Sequence, residues 1–293
     1  MRAKEFYEFM IKREAIRFRK ETGGKWPWTD DPILQKYKFT NVKREHDRTT
    51  KWMRDYFTGP NARENNRAEV LFNCAFFRYF GTLEFAAAAG WQKLHSFAKP
   101  SHRISLKVLA RDRMKAKERV FTGAYVITNQ GLKLPKEEVV VDHFLLPFSK
   151  VVDSLVSIMD ETRSWQAVAE AMRSLKGFGG TGFMTKEVLQ DALHTTAFPV
   201  CDDLNTWCPV GPGARRGLNR VFGYEFDTKL REDVYLMMLL ELYEERFNYW
   251  PPDFILLDLH DIQFQLCEFD KYERVVHGQG KPRSKYKPKG RKT

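Results

Sequence analysis

The stretch LKGFGGTG, residues 175–182, constrains the fold of this chain more than any other feature. Trp165, Val168, Ala169 and Met172 repeat at helical spacing before it, and Phe183, Val188, Leu189 and Ala192 do so after it. The spacing predicts two helices joined by a tight turn. Within the turn Leu175 and Phe178 are apolar anchors, while Gly177, Gly179, Gly180 and Gly182 permit positive φ and close approach of another backbone. The amides of these glycines, with Lys176 and Thr181, suit contact with a phosphate. Asp202 and Asp203 follow 27 and 28 positions beyond Leu175, after a short connection containing Pro199.

A second glycine-rich run, VGPGARRGLNRVFG at 210–223, reads as a loop opening a helix, because Leu218, Val221 and Phe222 repeat on one face. Free amides at a helix start attract anions, which singles out Gly211 and Gly213. Arg215 and Arg216 add planar fork-shaped donors and Asn219 lies one turn further on, a set that matches a pyrophosphate better than a single phosphate. Either glycine turn alone reads as an ordinary helix connector. Two of them bracketing an aspartate pair point to a site. The 293 residues contain no GxxxxGK[ST], so this stretch is not a P-loop kinase.

The first turn and its aspartates resemble the layout of the helix-hairpin-helix DNA glycosylases, in that region only. A wider resemblance is spread over most of the first 274 residues. It is carried by WPWTDDPILQKYKFTNVKREHDRTTKWM (26–53), FTGAY (121–125), LKGFGGTGFMTKEVLQD (175–191), VGPGARRGLNRVFG (210–223) and HDIQFQLCEFDKYER (260–274). These segments look like the α-glutamyl/putrescinyl thymine pyrophosphorylase family of bacteriophages. The resemblance implies a mainly α, helix-hairpin-helix DNA glycosylase-like fold with two helical lobes. It implies an enzyme of thymine hypermodification, a transferase that joins an amino acid or putrescine to the methylene carbon of pyrophosphorylated 5-hydroxymethyluracil in DNA and expels pyrophosphate. The implied partners are double-stranded DNA carrying the modified thymine, a small amine, and a 5-hydroxymethyluracil DNA kinase acting upstream on another polypeptide.

Laid over that resemblance, a mechanism assigns roles to residues. The target base is extruded from the duplex and stacked on Tyr125 or Trp207. Arg215, Arg216 and the 211–213 amides stabilise the departing pyrophosphate. Asp203, in preference to Asp202, deprotonates the attacking amine. One aspartate of the pair could equally cap a helix or turn. Two rivals stay open: a base-excision DNA glycosylase, and a noncatalytic helix-hairpin-helix DNA-binding protein.

Two further polar clusters carry candidate roles. Asn41, Arg44, Glu45, Asp47, Arg48 and Thr50 read as a capped, solvated helix start or as a site in which Arg44 and Arg48, four apart, share one helix face and hold the departing pyrophosphate or the target-strand phosphate. Asp261, Gln265 and Glu268 share the face opposite Leu259, Ile262, Leu266 and Phe269, either as an exposed acidic surface or as a receptor for an ammonium group. Asn41, Glu45, Tyr125, Trp207, Asp261 and Glu268 thus form the candidate base and amine pocket. No metal site is expected, because the histidines lack HxxxH or HExxH spacing. No cofactor is required, and a Mg2+ ion bridging pyrophosphate and an aspartate is compatible with the pattern.

A formal charge of +11 and a pI near 9.4 favour a polyanionic partner and argue against acidic proteins. Seven of the positive charges lie in the last sixteen residues, GQGKPRSKYKPKGRKT, so a catalytic domain over 1–277 and a flexible basic tail over 278–293 are expected. Cys74, Cys201, Cys208 and Cys267 form no CxxC pair, so the sequence supports neither a disulfide framework nor a zinc ribbon. No apolar stretch is long enough to span a bilayer and no signal-peptide core opens the chain, so a cytoplasmic protein is expected, in the host cytoplasm if phage-encoded. Helical spacing also marks Phe6, Phe9, Met10 and Ile16, then Trp52, Met53, Tyr56 and Phe57, then Val70, Cys74 and Phe77, then Val151, Leu155, Ile158 and Met159. The segment 1–57 is expected to return and pack with the C-terminal helices. The one β signal, 120–128 followed by 139–141, predicts a small hairpin.

Overall fold

The structure is a computed structural model that describes residues 1–62, 66–180, 182–198, 200–282 and 284–286. Thr181, named above for the glycine turn, lies outside the described residues. The fold is mainly helical. In chain order the longer helices are α1 (Ala3–Glu21), α2 (Arg67–Phe80), α3 (Pro100–Lys115), α4 (Val152–Thr162), α5 (Trp165–Arg173), α6 (Phe183–Ala192), α7 (Pro212–Phe222), α8 (Glu232–Glu244) and α9 (Leu259–Val276). The chain divides into two compact units, Met1–Asp47 with Asn205–Thr293, and Arg48–Leu204.

In the first unit α9 is the central helix, with α1, α7 and α8 packed on it. The helical stripe of Leu259, Ile262, Leu266 and Phe269 is buried, as the sequence spacing predicts. Phe6 and Phe9 of α1 meet Phe269 with ring centroids 5.5 and 5.6 Å apart. Asp258 starts α9 with a reciprocal capping box to Asp261. Part of the expected flexible tail is held here: Lys285 pairs with Tyr37 in an antiparallel bridge, and Tyr286 stacks on Trp26 at 5.3 Å.

In the second unit α2 is sheathed on every side, with Ala68 to Phe80 all buried, and α4 and α6 lie against it. Burial of Phe72, Phe76, Phe77 and Phe80 stabilises this unit by roughly 2 kcal/mol or more per ring. The predicted hairpin is absent. Val139–Leu145 is a wide helical turn of π geometry whose Val139, Val140 and Val141 are fully buried, and 120–128 joins no ladder. A run of valines buried all round satisfies helix and strand alike, and here packing overrides the β preference of branched side chains. Among the described residues the Tyr37 and Lys285 bridge is the only strand-like pairing, and no helix is long and apolar enough to cross a membrane.

Candidate functional site

The glycine turn lies in the second unit and joins α5 to α6, which pack against each other. Phe178 anchors it, stacked on Phe148 at 4.6 Å and edge-on to Tyr79 at 5.3 Å. Gly177 has φ +96°, and a Cβ there would stand 2.5 Å from the Tyr79 hydroxyl and 2.7 Å from the Phe144 ring. Only glycine fits. Its amide is already occupied, donating to the Gln130 side chain at 3.0 Å. Among the described residues the amides of Gly179 and Gly180 have no protein partner, and open space surrounds the Cβ position of Gly180. Those two N–H groups can meet an anion.

The aspartate pair is engaged with the start of α5. The Asp203 carboxylate accepts from the Trp165 amide at 2.7 Å, the Gln166 amide at 3.0 Å and the Ser164 hydroxyl at 2.7 Å. Ser164 in turn accepts from the Ala167 amide, so the first-turn amides that a helix leaves unsatisfied are all met. Burial pushes the Asp203 carboxyl up, but these donors outweigh it and hold it below the ordinary value. Asp202 forms a bidentate pair with Arg163, both contacts 2.7 Å, which lowers its carboxyl too. The capping alternative of the sequence reading is therefore the one the geometry favours. A carboxylate with depressed pKa is also a weak acceptor for an ammonium proton. Cys201 beside Asp203 is pushed up to about 12 by burial and by the neighbouring carboxylate, so it is not a thiolate.

The second glycine run folds as α7 itself rather than as a loop before it. Gly211 is the N-cap and Pro212, at the first helical position, removes one of the amides that an anion would use. Gly223 ends the helix as a left-handed cap at φ +80°, and the two glycines inside it serve packing. A Cβ on Gly213 would lie 2.9 Å from Cys267 Sγ, and one on Gly217 would lie 2.3 Å from the Leu266 carbonyl oxygen, so α7 and α9 pack closely across this seam. Arg215 and Arg216, about 100° apart on the helix, take different partners. Arg215 donates to the Val210 carbonyl at 2.8 Å and to Glu232 at 3.0 Å, while Arg216 donates to Asp270 at 2.9 Å. The shared diphosphate clamp expected of the two is not formed. Asn219 is buried and donates to the carbonyls of Phe226 and Thr228, which fixes the chain leaving α7.

The 40–47 segment and α9 meet in a buried polar network of the first unit. Gln265 donates to the carbonyls of Asn41 and Val42 at 3.0 and 2.8 Å, and Glu268 accepts the Thr40 amide at 3.1 Å. Lys43 Nζ lies 3.3 Å from Asp261 and 3.9 Å from Glu45, and donates to the Leu256 carbonyl at 2.9 Å. Asp261, Gln265 and Glu268 are thus buried, not an exposed acidic face. Burial, then the nearby Asp258, pushes the Asp261 carboxyl well up, and burial raises Asp47 as well. The network brings Asn41, Glu45, Asp261 and Glu268 into one unit. Arg44 is buried there in a short 3-10 turn, whereas Arg48 opens a separate helix in the second unit, and extended Asp47 (ψ 136°) stands between them. They do not share a helix face.

Tyr125 belongs to the second unit, its hydroxyl donating to the Arg78 carbonyl at 2.5 Å and its ring edge-on to Phe183. Trp207 belongs to the first. Arg13, which the sequence reading passed over, ties α1 to this network by donating to Gln265 and to the Thr40 carbonyl, with Phe9 and Phe39 under its guanidinium. Burial pushes it down to about 10, still a cation at neutral pH. Its signal was available: it falls seven positions after Phe6 on the core stripe of α1, where a charge must be paired. Among the described residues no group of side chains is arranged to hold a metal ion, and the four cysteines form no disulfide.

Comparison with known proteins agrees with a DNA-directed role for relatives of this chain. A 5-hmdU DNA kinase of Bacillus phage SP10 is 28% identical over 231 residues, which covers 73% of this chain and 35% of the phage protein. The chain therefore corresponds to about a third of that relative's length. No solved structure matches. The family described as the helical domain of 5-hmdU DNA kinase matches residues 2–282, and the chain belongs to that family.

Proposed function

We propose that this chain is a DNA base-modifying transferase that replaces the pyrophosphate of a 5-pyrophosphomethyl-deoxyuridine in duplex DNA with an amine. The observation that carries the reading is the family match over 2–282, whose relatives are named for 5-hmdU in DNA, in a stretch that holds no P-loop. A helical part of such a system that lacks the phosphoryl-transfer motif fits the step after phosphorylation. In that step the amine nitrogen forms a bond to the 5-methylene carbon, the carbon–oxygen bond breaks, and its electron pair leaves with pyrophosphate. The ammonium proton passes to a carboxylate. No oxidation or reduction is involved.

The buried network supports the amine side of this reaction better than the aspartate pair does. Asp261, held above the usual carboxylate range and already facing the Lys43 ammonium, has the proton affinity that Asp202 and Asp203 lack. Arg44 in the same segment is the candidate cation for the leaving group. The turn amides of Gly179 and Gly180 are the candidate contact to the DNA backbone, in the manner of a helix-hairpin-helix motif. A magnesium ion carried by the pyrophosphate would need few protein ligands. A kinase acting upstream supplies the phosphorylated base.

A second reading has its own observation. Because the chain matches about a third of a protein named as a kinase, it could hold DNA for a partner that does the chemistry. One experiment separates the readings: duplex DNA containing 5-pyrophosphomethyl-deoxyuridine is incubated with the protein and with glycine, glutamate or putrescine, and pyrophosphate and nucleosides are measured. Pyrophosphate release with amine-substituted thymidine supports the transferase. Abasic sites would make it a glycosylase, and unaltered DNA bound with steep salt dependence would make it a holder.

A further inference from the structure

The second turn of α7 and the C-terminal half of α9 enclose one carboxylate with three guanidinium groups. Asp270 accepts from Arg216 Nε at 2.9 Å and from Arg220 Nε at 3.0 Å, and Arg274 Nε stands 3.4 Å away. The grouping follows from the sequence: Arg216 and Arg220 lie four apart on α7, Asp270 and Arg274 four apart on α9, and the glycine seam lets the two helices close on each other.

Three cations around one anion leave two positive charges in excess. A purely structural role for buried Asp270 would be met by Arg220 alone, which is itself buried, covers the Phe226 ring at 5.2 Å and donates to Gln279 at 2.6 Å. Arg216 and Arg274 differ. Their side chains are 36% and 37% exposed, and among the described residues their terminal Nη groups have no hydrogen-bond partner. The nearby acid on α9, Glu273, is neutralised by Arg2 at 2.8 Å and touched by His277 at 3.3 Å, so it does not cancel the field. Two guanidinium groups gathered at a shared buried carboxylate, Arg216 by a hydrogen bond and Arg274 by charge at 3.4 Å, each with its outer donors available, have the planar geometry that phosphate oxygens accept.

We propose that Arg216 and Arg274 form a phosphate-binding site, that Asp270 is its positioning residue, and that the oxyanion it takes is a backbone phosphate of DNA. The proposal deepens the preceding reading and rests on its DNA partner, not on the amine chemistry. A backbone phosphate is favoured over a free diphosphate because the sequence after α9 carries seven cations between Lys281 and Lys292, and a run of cations suits a polyanion.

The test uses the full chain and unmodified duplex, with no amine, so failure of the transferase reading leaves it readable. Duplex retention is measured against salt, and inorganic pyrophosphate binding by calorimetry, for the wild type, Arg274→Gln, the Arg216→Gln and Arg274→Gln double variant, and the corresponding double Lys variant. The double Gln variant is expected to retain duplex about tenfold less tightly and to lower the salt slope by about 1 to 2, with the Lys pair restoring the slope but not the full affinity. Arg274→Gln guards against misfolding, because that residue makes no hydrogen bond to Asp270; alone it is expected to cost about threefold in retention at unchanged melting temperature. Loss of pyrophosphate binding with intact duplex retention would overturn the backbone assignment in favour of a free diphosphate. Unchanged binding of both ligands in a folded double variant would overturn the site.

Discussion

The carbonyl oxygen of Leu266 stands 2.3 Å from the point that a Cβ on Gly217 would occupy. Backbone rather than a flexible side chain fills that space, so the clash cannot be relieved by a rotamer change. Gly217→Ala is expected to push α7 away from α9 and to destabilise the protein by about 2 to 3 kcal/mol or more, as overpacking of a close interface does. Thermal unfolding checks this: a variant that melts with the wild type would mean that the seam between α7 and α9 can open at little cost.

Asp203 is expected to behave as a cap before anything else. Asp203→Ala removes the acceptor for the Trp165 and Gln166 amides and should cost about 1 to 2 kcal/mol. Because its folded carboxyl is held below the ordinary value, its contribution is present above the unfolded pKa and is lost as pH falls through the folded one. The melting gap between wild type and variant should therefore be widest near neutrality and close in acid. A variant with unchanged melting and abolished turnover would restore Asp203 to the chemistry.

The fold was legible where period and burial coincide. Leu259, Ile262, Leu266 and Phe269 form the core face of α9, and Val168, Ala169 and Met172 that of α5, because an apolar stripe at 3.6 spacing has few ways to be buried. The valines of 139–141 were not legible, since a run buried on all sides has no period to read. Arg44 and Arg48 look like one helix face by spacing alone, and only the extended backbone of Asp47 between them says otherwise. The glycines of α7 look in sequence like anion contacts, yet a glycine needed for helix approach and one needed for a phosphate leave the same mark there. Asp270 gave a signal that was missed: an acid four positions after buried Leu266 calls for cations, and Arg274 lies four further on.

Asp261 should show the opposite pH sense to Asp203. Burial raises its folded carboxyl well above 3.8, so the folded state holds a proton that the unfolded state has released, and stability falls as pH rises between those two values. Asp261→Asn keeps an acceptor for the Asp258 amide and removes the charge. The variant is expected to melt at or above the wild type at about pH 7, with its advantage shrinking toward about pH 4. Melting curves across that range decide it: a variant that melts lower, by a margin growing with pH, would mean that the Lys43 pair outweighs the cost of burial.

Two glycines of the same turn should respond differently to a methyl group. At Gly177 the added carbon would meet the Tyr79 hydroxyl at 2.5 Å and the Phe144 ring at 2.7 Å, on a backbone at φ +96°. Gly177→Ala is expected to lose stability by more than 2 kcal/mol and DNA retention with it, because the anchor Phe178 is carried along. At Gly180 nothing lies within 4 Å and φ is +67°, a conformation that asparagine tolerates. Gly180→Asn should therefore melt within about 1 kcal/mol of the wild type. Gly180→Asp adds a negative charge beside the unpartnered Gly179 and Gly180 amides at similar backbone strain, and should weaken duplex retention by about tenfold relative to the asparagine variant. Filter retention of both variants at one fixed salt concentration is the measurement. Equal retention would remove this turn from the DNA surface, whatever the rest of the chain does.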